Sequence, residues 1–209
     1  MIGFSDCLLA GLAGGDLPPA AAGYVRDIRQ AGRDLLAFVE EMLDMARVEA
    51  GQLPVRPDRV DLSQLLPRVA RMARAARPGP APDLAVEAQG QPPAVVWADE
   101  ARLQQVLLNL VYNAMKFTPP GGSVRLRTRP LGDLVAIDVA DTGIGMAPAE
   151  LAVALQPFGQ VDGGLARQHY GAGLGLPLAK ALAELQGGRM AIASAPGAGT
   201  TVTVELPAA

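Results

Sequence analysis

The sequence has 209 residues, of which 50% are hydrophobic and 19% are charged, and its formal net charge at pH 7 is −3. This length suits one ordinary domain with an appended element, or two small units, and excludes a large multidomain enzyme, while the apolar content excludes a disordered chain. The small net charge, with arginines scattered along the chain, gives no basic surface for nucleic acid or an anionic membrane, so we predict neither partner.

The chain has one cysteine, Cys7, and one histidine, His169, which excludes an internal disulfide and a zinc cluster of cysteine and histidine ligands. A metal ion would therefore need oxygen ligands. The sequence also contains no apolar run long enough to span a membrane, and its N-terminus lacks the pattern of a signal peptide. We expect a soluble, cytoplasmic chain without membrane contact of its own, although its parent protein could be membrane-anchored.

The first predicted elements are two helices. Residues 2–12 are predicted to form a short helix that ends at residues 14–15, and residues 19–51 a long helix bounded by Pro19 and Gly51. Apolar or small residues recur along the long helix at steps of three and four, as in a coiled-coil seam: Val25, Ile28, Gly32, Leu35, Val39, Met42 and Ala46. We expect an antiparallel hairpin whose seam packs either on its own domain or, as we favour, on a second copy.

Strands and helices alternate in the remaining chain. Residues 55–60 are predicted as an extended linker or edge strand, and Asp61 or Ser63 is predicted to cap a helix that runs to about residue 76. The later elements are strands at 83–88 and 94–97, a helix at 99–115, strands at 122–129 and 133–140, a helix at 174–187, and strands at 189–194 and 200–206. This order predicts an α+β fold, a mixed sheet with helices on one face.

The helix predicted at 99–115 and the turn that follows it carry one polar stripe. Asn109, Asn113 and Lys116 recur at steps of four and three, which places them on the same side of the helix. Amide oxygens suit Mg²⁺ and an ammonium suits phosphate, so the stripe could hold a magnesium nucleotide. Taken alone, such a stripe is more often the solvated face of an amphipathic helix, but asparagine is a poor residue for a helix interior, which weakens that interpretation.

Three glycine-containing segments add to this pattern. Residues 141–146, Asp-Thr-Gly-Ile-Gly-Met, follow a predicted strand and could bind an amino group, or could be only a turn. Residues 171–176 open a helix, where backbone N–H groups attract phosphate, but the dinucleotide fingerprint fails because no strand directly precedes them. Residues 197–200 form a predicted hairpin turn. Residues 142–175 have little regular pattern and are too long for a simple connection, which indicates a functional loop.

The order of these motifs resembles the ATP-binding catalytic domain of bacterial two-component sensor histidine kinases, whose family includes gyrase, heat-shock chaperone and mismatch-repair ATPases. The segments that carry the resemblance are 99–104, 109–118, 141–146, 157–160, 171–176 and 197–200. Segments 2–5 and 28–51 look like the helices of the dimerisation and phosphoacceptor domain. The resemblance implies a partial helical hairpin in residues 1–53 and, in residues 54–209, a two-layer sandwich of a mixed sheet and helices.

The resemblance also implies ATP and Mg²⁺ as cofactors. By resemblance, Asn113 is the metal ligand, Asn109 lies near the metal and the phosphates, and Lys116 contacts a phosphate. The hydrolytic relatives hold a water-activating glutamate at the position of Asn109, and an amide has no useful basicity. This difference favours phosphoryl transfer over hydrolysis.

The base pocket and the cover of the phosphates are implied in the same way. Asp141 reads the adenine in a pocket that Gly143 and Gly145 shape, with Thr200 nearby. The remaining implied binding residues belong to a loop over the phosphates or to the glycine segment that closes it: Phe158, Arg167, Gly171, Gly173, Leu174 and Gly175.

The family's phosphoacceptor histidine would lie before Met1, and His169 falls instead in the loop over the phosphates. We therefore expect a kinase region that transfers the γ-phosphoryl group of ATP to a histidine absent from this chain, and onward to an aspartate of a response-regulator receiver domain. We expect the chain to be inactive in autophosphorylation by itself and to dimerise through residues 1–51. The alternatives are a nucleotide-binding scaffold without transfer, and an ATPase of the gyrase and chaperone class.

Overall fold

The computed structural model describes residues 1–11, 17–76, 80–87, 94–159 and 173–209. The chain forms two compact units, Met1–Ala46 and Arg47–Ala209.

The first unit consists of two helices, α1 (Ile2–Leu9) and the greater part of α2 (Pro19–Glu49). A Cβ atom on Gly32 would lie 3.1 Å from Cγ1 of Ile2, and Asp6 forms an ion pair with Arg29 at 3.3 Å. The later residue of α1, Asp6, thus contacts the earlier residue of α2, Arg29. The two helices are therefore antiparallel, as predicted. The predicted end of α1 at residues 14–15 lies outside the described residues.

The end of α2 shows why the chain turns there. Gly51 has a positive φ of 65°, and its N–H donates to the carbonyl of Val48 at 3.0 Å, while Gln52 N–H donates to Arg47 O at 2.8 Å. This glycine cap satisfies carbonyls that the helix leaves unpaired, so the predicted stop at Gly51 is confirmed. Within the described ranges, no helix is both long and apolar enough to cross a membrane.

The second unit contains a mixed five-stranded sheet. Its strands, in spatial order, are β2 (Asp83–Glu87), β4 (Ser123–Leu131), β5 (Leu134–Asp141), β7 (Gly199–Pro207) and β6 (Arg189–Ala195). β2 pairs with β4 in parallel, and the other neighbours are antiparallel. The sequence pattern did not show that β3 (Val95–Ala98) leaves this sheet and pairs with β1 (Asp58–Asp61), the predicted edge strand.

Three helices cover one face of the sheet: α3 (Leu62–Ala76), α4 (Glu100–Phe117) and α6 (Gly175–Leu185). The sequence predicted Asp61 or Ser63 as the N-terminal cap of α3. Asp61 is the cap, since its Oδ1 accepts a hydrogen bond from Ser63 N at 2.8 Å. The largest fully buried side chains form the core between the two layers: Leu62, Leu65, Leu103, Leu107, Leu110, Met115, Leu126, Ile137, Leu174, Leu178, Leu182 and Leu206. The predicted α+β architecture is therefore confirmed.

A short helix that the sequence analysis did not predict, α5 (Pro148–Ala154), lies in the segment 142–175. Proline at its first position needs no N–H partner, and Glu150 Oε2 accepts from the backbone N–H of Ala147 at 2.6 Å. These two residues were the available signal for a helix start.

Candidate functional site

The polar stripe of α4 faces the start of α6. Asn109, Asn113 and Lys116 are half-buried, and the opposite side of α4 lies in the core. Asn109 Nδ2 lies 3.4 Å from the carbonyl oxygen of Gly175, to which it donates. A Cβ on Gly175 would lie 3.8 Å from Asn113 Nδ2, so both carboxamides approach the first residue of α6.

The oxygen atoms of these carboxamides have no hydrogen-bond partner among the residues that the structure describes. Asn109 uses its amide nitrogen for the bond to Gly175, and Asn113 forms no side-chain hydrogen bond within the described ranges. That part of the chain also contains no cluster of three or more histidine, cysteine or carboxylate side chains that could hold a metal. Amide oxygens together with phosphate oxygens remain a ligand set that suits Mg²⁺. Lys116 Nζ, at the end of the stripe, lies 4.9 Å from the centre of the Phe117 ring.

Among the described residues, the N-terminus of α6 has no side-chain cap. Leu174 precedes the helix, is 1% exposed and cannot accept a hydrogen bond through its side chain, so it does not cap the first N–H groups of α6. Gly173, just before it, has a positive φ of 71°. An uncapped helix N-terminus attracts anions, and here it lies beside two carboxamides.

Asp141 ends β5 with one carboxylate oxygen occupied and the other available. Its Oδ1 accepts from the backbone N–H groups of Gly143 at 2.8 Å and Thr200 at 3.2 Å. Oδ2 has no hydrogen-bond partner among the residues that the structure describes. Burial raises the pKa of Asp141 above its ordinary value, and the two backbone hydrogen bonds act in the opposite direction.

The loop that follows Asp141 is held against α4 on one side and the β6–β7 hairpin on the other. Ile144 N–H donates to Phe117 O at 3.2 Å, and a Cβ on Gly143 would lie 2.5 Å from the same oxygen. Gly145 has a φ of 64°, and a Cβ there would collide with the carbonyl of Ala195. Glycine is therefore required at both positions, and the loop reaches the end of the polar stripe.

Thr200 lies directly across from Asp141 in the β5–β7 register, and its hydroxyl lies 2.8 Å from that of Ser194. Ser194 Oγ also accepts from the backbone N–H of Met146 at 2.8 Å. Ser194 was not predicted as a site residue, because a serine in a strand carries no local signal that distinguishes it.

The remaining predicted site residues lie next to residues 160–172 or within that range, which is outside the described residues. Phe158 has a positive φ of 63°, which is unusual for a bulky residue, and its N–H donates to Gly173 O at 3.2 Å. Its side chain is 56% exposed. Arg167 and Gly171 lie outside the described residues, as does His169. The structure thus brings together Asn109, Asn113 and Gly175, and joins Asp141 to Thr200 and Gly143.

Comparisons with known proteins identify the family. Residues 98–209, more than half of the chain, match the family described as histidine kinase-, DNA gyrase B- and HSP90-like ATPase. The circadian input-output histidine kinase CikA of Synechococcus elongatus is 39% identical over 99% of this chain and 28% of its own length. The histidine protein kinase DivJ of Caulobacter vibrioides is 38% identical over 99% of this chain and 34% of its own length. The chain thus spans about a third or less of these relatives.

A solved structure gives the same answer. Full-length ShkA in complex with AMPPNP matches with a TM-score of 0.80 and 31% identity, over 100% of this chain and 42% of that one. The mycobacterial sensor histidine kinase MprB matches 73% of this chain with a TM-score of 0.62 and 25% identity, over 98% of that chain. The chain belongs to the histidine kinase-, DNA gyrase B- and HSP90-like ATPase family, and it contains the ATP-binding catalytic region of a sensor histidine kinase.

Proposed function

We propose that residues 54–209 bind ATP with Mg²⁺ and transfer the γ-phosphoryl group to a histidine outside this chain, from which it passes to an aspartate of a response-regulator receiver domain. The observation that carries the proposal is the pair of carboxamides beside the uncapped N-terminus of α6. This arrangement supplies both metal ligands and phosphate-binding N–H groups at one place.

Asp141 binds the base. Its Oδ2 is available to accept a hydrogen bond from the amino group of adenine, while the bonds of Oδ1 to Gly143 and Thr200 hold the carboxylate in place. The half-buried position strengthens this hydrogen bond, because fewer water molecules compete for the oxygen.

Asn113 and Asn109 would hold Mg²⁺ through their carboxamide oxygens, with Asn113 as the principal ligand. The ion, when bound, neutralises charge on the phosphate oxygens. Lys116 adds a positive charge at the end of the same stripe and contacts a phosphate, and the N–H groups of α6 bind phosphate oxygens. The bound phosphates are covered by Phe158, Arg167 and the glycines at 171, 173 and 175.

Transfer is favoured over hydrolysis by the chemistry of Asn109. A carboxamide has no basicity near neutral pH, so it cannot take a proton from an attacking water molecule. A histidine acceptor is itself a nucleophile and needs no such base when its ring nitrogen is neutral. The absence of basicity at Asn109 thus slows loss of the phosphoryl group to water.

We also propose that α2 forms the dimer interface of the parent kinase. Four residues of its heptad seam, Ile28, Leu35, Val39 and Met42, are between 42% and 55% exposed. A continuous apolar seam of this kind is covered by a facing helix in coiled coils and four-helix bundles.

The test is to supply the missing acceptor. The chain is mixed with γ-labelled ATP, a dimerisation domain that carries an acceptor histidine from a relative, and a receiver domain. We expect acid-labile label on the acceptor domain and then on the receiver, with both signals lost in Asn113→Ala and retained in the distant control Ser63→Ala. ATP binding without any labelled acceptor would contradict the proposal and favour a scaffold.

A further inference from the structure

Every hydrogen-bonding position of the Ser194 hydroxyl is used. Its Oγ accepts from Met146 N–H at 2.8 Å, donates to the carbonyl of Gly199 at 3.1 Å, and lies 2.8 Å from Thr200 Oγ1. A serine hydroxyl has one proton and two lone pairs. Because the proton goes to Gly199 and one lone pair to Met146, the second lone pair must accept the hydroxyl proton of Thr200.

This arrangement fixes the direction of the Thr200 hydroxyl. Its only proton points towards Ser194, so the rest of the oxygen surface offers lone pairs alone. The backbone N–H of Thr200 donates to Asp141 Oδ1, which places this hydroxyl next to the carboxylate whose Oδ2 is available. The two side chains therefore present hydrogen-bond acceptors and no donor.

We propose that Ser194 is a specificity-determining positioning residue, which acts through Thr200 to make the base pocket select an amino group over a carbonyl at the purine 6-position. The inference rests on the proposed function, in which Asp141 binds the base. The amino group of adenine donates hydrogen bonds, whereas the 6-carbonyl of guanine or hypoxanthine only accepts them. A carbonyl placed against acceptors alone loses the hydrogen bonds it made with water, which costs binding free energy.

The test compares ADP with IDP, which has a carbonyl in place of the 6-amino group. Calorimetric titrations give the ratio of the two dissociation constants for the wild type and for Ser194→Ala. Without Ser194 the Thr200 hydroxyl can rotate and donate to the carbonyl, so we expect the preference for ADP to fall by about five- to tenfold. Thr200→Val should weaken ADP binding, and Ser194→Ala in the Thr200→Val background should leave the remaining ratio unchanged.

The matched control is Thr201→Val, which removes a hydroxyl from the next residue of β7 and should leave the ratio unchanged. If Ser194→Ala weakens the binding of ADP and of IDP equally, Ser194 only stabilises the structure and the inference is overturned. Ser194→Cys, which keeps the shape of the side chain but is slightly larger and has a weaker donor and acceptor, should lower the preference for ADP over IDP in the same direction even if the alanine variant does not fold. An unchanged ratio there would also overturn the inference.

The role of Ser194 and the proposed nucleotide binding are separated by the behaviour of the wild type. A wild-type chain that binds ADP and IDP equally would overturn the role of Ser194 and leave nucleotide binding in place. A wild-type chain that binds neither nucleotide would overturn the proposed function and this inference with it.

Discussion

The two units of the chain differ in where their apolar side chains lie. In the second unit, Leu107, Leu110 and Ile137 are at most 2% exposed between the sheet and its helices. In the first unit, the described residues include a single buried one, Ser5, and the seam residue Leu35 is 55% exposed. The catalytic region therefore has a core of its own, whereas the helical hairpin has an apolar seam whose burial requires a further surface.

The largest expected effect separates the stabilities of the two units. Leu107→Ala should lower the free energy of unfolding of the second unit by about 2–5 kcal/mol, because it leaves a cavity in a close-packed core. Leu35→Ala removes the same atoms from an exposed site. It should change the free energy of unfolding of the second unit by less than about 0.5 kcal/mol. Urea unfolding followed by the fluorescence of Trp97, the only tryptophan, reports on this unit. Equal losses in both variants would contradict the difference between the units.

The next effect concerns the nucleotide site. Asp141→Asn should weaken ADP binding by about 1–3 kcal/mol, because the side-chain acceptor at the base is altered. Leu35→Ala should leave ADP affinity unchanged, since the second unit contains the proposed site. Calorimetric titration measures both. Equal ADP affinity in Asp141→Asn and the wild type would remove Asp141 from the base pocket.

A smaller effect is expected on self-association. Leu35→Asp places a charge on the seam and should raise the dissociation constant of a dimer by about tenfold or more, measured by sedimentation equilibrium. Ala37→Asp adds the same charge to an exposed position of α2 outside the seam and serves as the control. If both variants associate equally, the seam is not the interface.

The smallest effect is a pH dependence of stability. Burial raises the pKa of Asp141 above its ordinary value of 3.8, so the folded chain binds this proton more tightly than the unfolded chain. The stabilisation that protonated Asp141 gives the folded chain is complete below pH 3.8, the unfolded pKa. It is lost as the pH rises through the raised folded pKa.

Unfolding of the wild type and Asp141→Asn is then compared from about pH 4 to about pH 7. The wild type should lose stability relative to the variant as the pH rises through the raised folded pKa of Asp141, and the difference should level off at higher pH. A constant difference, or a change of the opposite sign, would contradict the shift.

Most of the architecture could be predicted because its signals are local. The spacing of Asn109, Asn113 and Lys116 within one helix places them on one side without any knowledge of the fold. The partner of that stripe depends on the tertiary packing of α4 against α6, which the spacing alone does not show. The opening of α6 at Gly175 was found because glycines preceded an apolar helical pattern.

The features that were not predicted depend on contacts between distant residues. The pairing of β3 with β1 joins Trp97 to Arg59, and no short-range pattern specifies it. Ser194 matters only because the hairpin brings its hydroxyl to Met146 and Thr200, which are 48 and 6 residues away in sequence. Such networks follow from the fold and not from the residue type.

We propose that the carboxamide pair and the uncapped start of α6 form a magnesium-dependent nucleotide site. The most direct measurement is calorimetric titration of the chain with a non-hydrolysable ATP analogue, with and without Mg²⁺, in the wild type and in Asn113→Ala. We expect tighter binding with Mg²⁺ in the wild type and no effect of Mg²⁺ in Asn113→Ala. Binding that does not depend on Mg²⁺ in the wild type, or that keeps its dependence in the variant, would contradict a magnesium site at these carboxamides.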